Sequence, residues 1–147
     1  MNKGVIFLDY DGVINIGDKK FDGQLNNPEA IMYLNKFCNE FNFDIVVTSS
    51  WRRHPNYKNM LYDAGLDPNI KIVGCTIVSH ISREFEINKY LSDNPNIIEF
   101  IIIDDYIVSG DLHKYLVHTS PSKGFNKNKY IEAVSKMDIL YNKRTHK

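Results

Sequence analysis

Five short runs rich in Ile, Val and Phe punctuate the chain, at residues 4–9, 43–48, 70–75, 98–103 and 115–119. Several are continuous rather than alternating, which is the pattern of strands covered on both faces in a parallel sheet. Helical spacing fills the intervals. Pro28 to Phe41 carries Ile31, Leu34, Phe37, Cys38 and Phe41 along one stripe, with Asn27 placed to cap it and Pro28 at its first helical position. A weaker helical pattern covers 55–64 and stops near Gly65. Ser82 is placed to cap a helix over 83–92, to which Phe85, Ile87, Tyr90 and Leu91 supply apolar contacts, and Asn126 to cap one over 127–141. This alternation predicts a doubly wound, Rossmann-like α/β sheet of mainly parallel strands, whose ligands bind beyond the strands' carboxyl ends.

Length and charge narrow the classes. The chain of 147 residues fits one domain, 1–147, and its 18 basic and 18 acidic residues leave no overall field to hold a nucleic acid or an anionic membrane. Any such attraction is local. Cys38 and Cys75 sit in apolar stretches without a C-x-x-C pair, so they read as core residues of a reducing compartment rather than as a zinc site or disulfide scaffold. The apolar run Val5 to Leu8 is too short for a signal-peptide core or a membrane span. A cytoplasmic protein without a membrane partner is the expectation. The basic tail Lys143, Arg144, His146 and Lys147 reads as a solvated end, and His80, His113 and His118 as structural or surface residues. Ser122-Lys123-Gly124 lacks the rest of a phosphate-binding P-loop.

The chemistry gathers at the strand ends: Asp9 and Asp11 after the first, Thr48 and Ser49 after the second, Asp104 and Asp105 after the fourth. Arg83 joins them if Ser82 caps its helix, since the first turn then opens from the same rim. Four carboxylates beside a hydroxyl and an arginine make sense if a divalent cation and a phosphate complete the charge balance. The all-oxygen set suits Mg²⁺, with Asp105 the preferred direct ligand and Asp104 next. Asp9 can present a carboxylate oxygen to phosphorus, and Asp11, two residues on, can protonate a leaving group and later activate water. Gly12 permits the sharp turn between them and the ligand.

These residues resemble the haloacid dehalogenase (HAD) superfamily of phosphohydrolases, whose first motif D-x-D-G-[VT] matches Asp9-Tyr10-Asp11-Gly12-Val13. The second motif, an apolar strand ending in Thr or Ser, matches Ile45-Val46-Val47-Thr48, and the fourth matches Ile101-Ile102-Ile103-Asp104-Asp105. The resemblance implies that Asp9 is the nucleophile and Asp11 the acid/base. It also implies that Mg²⁺ is held by Asp9, the backbone carbonyl of Asp11 and an acid of the fourth motif. Thr48-Ser49-Ser50-Trp51-Arg52, the helix containing Arg83 and the stretch Leu116 to Phe125 are similar to the phosphatase domains of Swiss Army Knife RNA repair proteins. One departure is that family members mostly use Lys in the third motif. Here the candidate is Arg83, with Lys89 as the alternative.

The expected activity is therefore a Mg²⁺-dependent phosphomonoesterase in which Thr48, Ser49 and Arg83 bind the transferring phosphate. Neither residues 13–27 nor residues 49–82 leave room for the cap domain that commonly shapes specificity in the superfamily. An open site suits a phosphate on something large, such as a nucleic-acid end, and Trp51, Arg52 and Arg53 stand where they could line its entrance. The rival readings are a phosphatase of small nucleotides or sugar phosphates, and a phosphate- or partner-binding module without turnover. A phospho-acceptor receiver domain would place its acceptor Asp after a later strand.

Overall fold

The computed structural model describes residues 4–17 and 25–143. Five strands, β1 (Gly4–Leu8), β2 (Phe43–Val47), β3 (Ile72–Cys75), β4 (Phe100–Asp104) and β5 (Leu116–His118), form one all-parallel sheet in the order β3-β2-β1-β4-β5. β1, β2 and β4 are buried along their whole length, which is why they read as unbroken apolar runs. The pleat sends alternate residues to opposite faces. Ile6, Leu8, Ile45, Val47, Ile101 and Ile103 enter one core cluster; Val5, Phe7, Val46, Phe100 and Ile102 enter the other.

Among the described residues four helices cover the sheet: α1 (Pro28–Phe41), α2 (Tyr57–Asp63), α3 (Arg83–Asp93) and α4 (Lys127–Tyr141). The first core takes the predicted stripe of α1, with Ile31, Leu34, Phe37 and Cys38 buried. The other takes Ile87 of α3. Pro28 does open α1, but Asn27 makes no side-chain cap; its Nδ2 donates instead to the Val13 carbonyl at 3.4 Å, tying the first loop to the helix start. Ser82 and Asn126 do cap α3 and α4, accepting from the N–H groups of Phe85 at 3.0 Å and Lys129 at 3.1 Å.

Among the described residues two 3₁₀ segments, Ser50–Arg53 and Gly110–Tyr115, were not expected, the second taking Tyr115 from the start of the expected fifth strand; they are too short for periodicity to show. On α3 the expected packing also shifts by one position. Phe85 is exposed and Glu86 is buried, because the inward face of the first turn meets arginines rather than apolar side chains.

β4 runs one residue further than its apolar pattern, so Asp104 is the last strand residue and is fully buried. No second structural layer stands over the strand ends among the described residues. Part of the segment expected to flank the site, residues 18–24, lies outside them, as do Arg144, His146 and Lys147. Around that segment, Asn26 bonds to Ile16 through both its side-chain atoms, at 2.9 and 3.2 Å. Lys143 pairs with Glu99 at 2.6 Å. No helix among the described residues is long and apolar enough to cross a membrane.

Candidate active site

The loop after β1 is wound by its own backbone: the Tyr10 carbonyl accepts from the N–H groups of Val13, Ile14 and Asn15. Tyr10 itself is fully buried and donates its hydroxyl to the Tyr57 carbonyl at 2.6 Å, so the residue between the two aspartates is an anchor. Asp9 is consequently held down in the sheet edge, 5% exposed, while Asp11 is lifted to the surface. Gly12 has φ +77°, and a Cβ on it would lie 2.2 Å from Asp105 Oδ2. Only glycine lets the loop pass this close to the β4 end. Thr119, just beyond β5, donates its hydroxyl to the Gly12 carbonyl at 2.6 Å and its N–H to the Asp104 carbonyl at 3.0 Å, locking loop and strand end together.

Carboxylate oxygens of Asp9, Asp104 and Asp105 all lie within 4.8 Å of one another. Arg83 reaches into this group from the first turn of α3, its Nη1 2.7 Å from Asp104 Oδ2 and 3.1 Å from Thr48 Oγ1. Since Thr48 Oγ1 is the acceptor there, its own O–H remains available to donate. Lys89 is directed elsewhere and pairs with Asp93 at 2.8 Å, so of the two third-motif candidates only Arg83 stands at the strand ends.

The electrostatics of this floor are unbalanced. Burial, reinforced by the charge of Asp104, pushes the Asp9 carboxyl up to about 9. Burial also raises Asp104, with the Arg83 guanidinium opposing it. Without a cation the cluster therefore keeps a proton that isolated carboxyls would have lost.

The rim is built differently. Asp11 Oδ1 accepts from Trp51 Nε1 at 3.0 Å and from Asn15 Nδ2 at 3.2 Å. Ser49 Oγ caps the Ser50–Arg53 turn through the Trp51 N–H, at 3.1 Å. The turn thus aims an indole at the Asp11 carboxylate.

A sequence profile of the family described as "HAD domain in Swiss Army Knife RNA repair proteins" matches residues 5–130. The chain belongs to this family. No curated protein and no solved structure matches it. The HAD domain so defined, of a phosphohydrolase type, contains the strand-end residues described above and both clusters' central strands.

Two entrance residues of this HAD domain have different partners from those their positions suggest. Arg52, placed by the sequence where it could line the entrance, has a side chain that is 5% exposed and clamped inside: Nη1 donates to the carbonyls of Thr48 and Ser49, and Nη2 to the Ile77 carbonyl at 3.1 Å. Its charge is met by Glu86 at 2.9 Å. Trp51, the other, packs against the first core and donates its Nε1–H to Asp11. Only Arg53 of the three is exposed.

Glu86 and Thr119 are site residues that the sequence reading missed. Glu86 Oε2 accepts from the Ser79 N–H at 2.9 Å and meets Arg52, while Oε1 lies 3.9 Å from Arg83 Nε. It therefore binds the two arginines of the site into one network. Its i,i+3 relation to Arg83 was a usable signal; its burial, between Phe85 and Ile87, was not.

The floor fits a hard divalent cation. Mg²⁺ takes oxygen ligands at about 2.1 Å, which sets opposite ligands roughly 4.2 Å apart, close to the spread of the three acids. Three carboxylates face one bonded arginine, so a divalent charge would neutralise the cluster and oppose the burial and carboxylate repulsion that raise Asp9.

Proposed function

We propose that this HAD domain is a Mg²⁺-dependent phosphomonoesterase working through a phosphoryl intermediate on Asp9, with a nucleic-acid end as substrate. The observation that carries the reading is the convergence of Asp9, Asp104 and Asp105 with the Arg83–Thr48 pair at the ends of three adjacent strands. Asp9, Asp104, Asp105 and the Asp11 backbone carbonyl would hold Mg²⁺. The cation, when bound, supplies Lewis-acid stabilisation of phosphoryl charge.

The chain's own residues perform the rest. Thr48 donates its hydroxyl to a phosphoryl oxygen, and Arg83, already bonded to Thr48, adds a cationic fork suited to the same group. Ser49 maintains the turn beside them. An Asp9 oxygen attacks phosphorus as the bond to the leaving oxygen breaks, and Asp11 delivers its proton to that oxygen. In the second half Asp11 takes a proton from water, the water oxygen attacks phosphorus, and the Asp9–phosphorus bond breaks to release phosphate. The indole and amide donors on Asp11 Oδ1 orient this carboxyl while leaving it at the surface, where leaving group and water arrive.

The test is hydrolysis of p-nitrophenyl phosphate with and without Mg²⁺. Turnover that stops on chelation and returns with Mg²⁺ is expected. A folded protein with no hydrolysis of this ester or of a terminally phosphorylated oligonucleotide would reject the enzyme reading in favour of a binding module.

A further inference from the structure

Beside Arg83 the surface opens into a cleft of about 400 Å³, within the size range of small-ligand sites. The Ser50–Arg53 turn forms one wall, the chain from Val78 to Ser82 another, and Tyr106, two residues past Asp104, a third. Because Arg83 lines it and also bonds Thr48 and Asp104, the cleft is continuous with the proposed phosphoryl site.

Its charges are not equally available. Of the three arginines in the lining, Arg83 is bonded to Asp104 and Arg52 to Glu86. Arg53 is exposed, and no carboxylate among the described residues pairs with it. The Arg52 Nε on this same wall is moreover a buried donor without an acceptor among the described residues. Opposite stands Tyr106, 45% exposed, its hydroxyl 3.4 Å from Glu84 Oε1, which steadies the ring while leaving much of it uncovered. A free guanidinium and an open aromatic ring beside a phosphate site are the elements with which proteins hold single-stranded nucleic acid: cation to backbone, ring to base.

We infer that this cleft seats the nucleotide next to the scissile phosphate of a single-stranded nucleic-acid end, with Arg53 on the adjoining phosphodiester and Tyr106 under the base. The inference rests on the phosphohydrolase reading for its catalytic readout. It assigns substrate selection to Arg53 and Tyr106 rather than to Trp51 and Arg52, whose side chains serve Asp11 and the β2 end.

The experiment compares kcat/KM for a terminally phosphorylated oligoribonucleotide with that for p-nitrophenyl phosphate, which has no second phosphate or base to place in the cleft. Arg53→Ala and Tyr106→Ala should each lower the oligonucleotide-to-aryl ratio about tenfold, Tyr106→Phe should restore it, and Arg53→Ala should reduce the salt dependence by about one phosphate contact. An unchanged ratio, or a wild-type preference for a phosphopeptide or mononucleotide, overturns the inference. Fluorescence anisotropy of the labelled oligonucleotide with an Asp9→Asn protein in Mg²⁺ gives a readout independent of turnover. If no substrate is hydrolysed but both alanine variants weaken this binding about tenfold, the cleft assignment stands and the phosphohydrolase reading falls. Binding indifferent to both substitutions rejects the cleft.

Discussion

Asp9 and Asp11 are separated by one residue, yet they belong to different regions. The first lies in a buried polar floor with Thr48, Asp104 and Glu86, reached by the half-buried Arg83, and the second is exposed on a rim beside the half-buried Trp51 and the exposed Arg53. On the floor, burial makes charge expensive, so each group is defined by its partner. On the rim, charge is cheap, and a group is defined by what orients it. Tyr10 creates the division by sinking into the core between them. In the proposed mechanism the same residue type is thereby fitted to two tasks: attack at phosphorus in a protected site, and proton exchange with a leaving group that must come and go.

Exchanging each aspartate for asparagine is the strongest way to break that contrast. Asp9→Asn should abolish turnover on every substrate, because an amide is a poor nucleophile. It should also hold or raise the thermal midpoint of the metal-free protein, since a neutral side chain replaces a buried acid. Asp11→Asn should leave the thermal midpoint near that of the wild type and cost roughly 10² to 10⁴ in kcat on alkyl esters, less on aryl ones whose leaving groups need little protonation. Equal losses on both ester types would remove Asp11 from proton transfer.

Glu86 tests whether the floor is a single network. Both Glu86 and Arg52 are at most 7% exposed at the side chain, so Glu86→Ala leaves a buried arginine without its counter-charge and should destabilise by roughly 3–5 kcal/mol in urea unfolding. Glu86→Gln, which keeps the shape and an acceptor, should lose less stability. If it acts through Arg83, KM for aryl phosphate should rise more than kcat falls.

The mildest probe is pH. In the metal-free fold Asp9 keeps its proton up to about pH 9, whereas the unfolded chain loses it near the ordinary value of 3.8. Between those limits the folded state binds more protons, so this group's contribution to stability declines as pH rises. Mg²⁺ must displace that proton. Its apparent affinity, read from the shift in thermal midpoint, should therefore tighten with pH by up to about tenfold per unit below 9, with proton uptake by the buffer in calorimetry. Asp9→Asn should flatten the dependence; a pH-independent Mg²⁺ affinity in the parent would mean that the proton resides elsewhere.

Much of the floor was legible in the sequence because it follows from strand ends. Continuous apolar runs ending in Asp9, Thr48 and Asp104, within a parallel sheet, can only bring those residues to one edge. The rim was less legible, since its roles are settled by side-chain direction within a four-residue 3₁₀ turn: Trp51 toward Asp11, Arg52 inward to three carbonyls, Arg53 outward. Adjacent arginines of identical composition came out opposite. Thr119 was illegible for another reason. Its bond to Gly12 joins positions 107 apart in sequence, and nothing local to either residue signals the other.

The central place of β1 carries a consequence for how the domain is made. The strand that ends just before Asp9 appears first in the described order, but one of its hydrogen-bonding neighbours, β4, comes only after α3. Until then the strand has an unpaired edge of five apolar residues, the kind of surface that templates association between chains. Each nascent molecule therefore passes through an interval in which its most apolar strand is also its least protected, and pairing across such sequence distance is slow. Sheltering that strand edge during synthesis should accordingly raise the yield of folded protein.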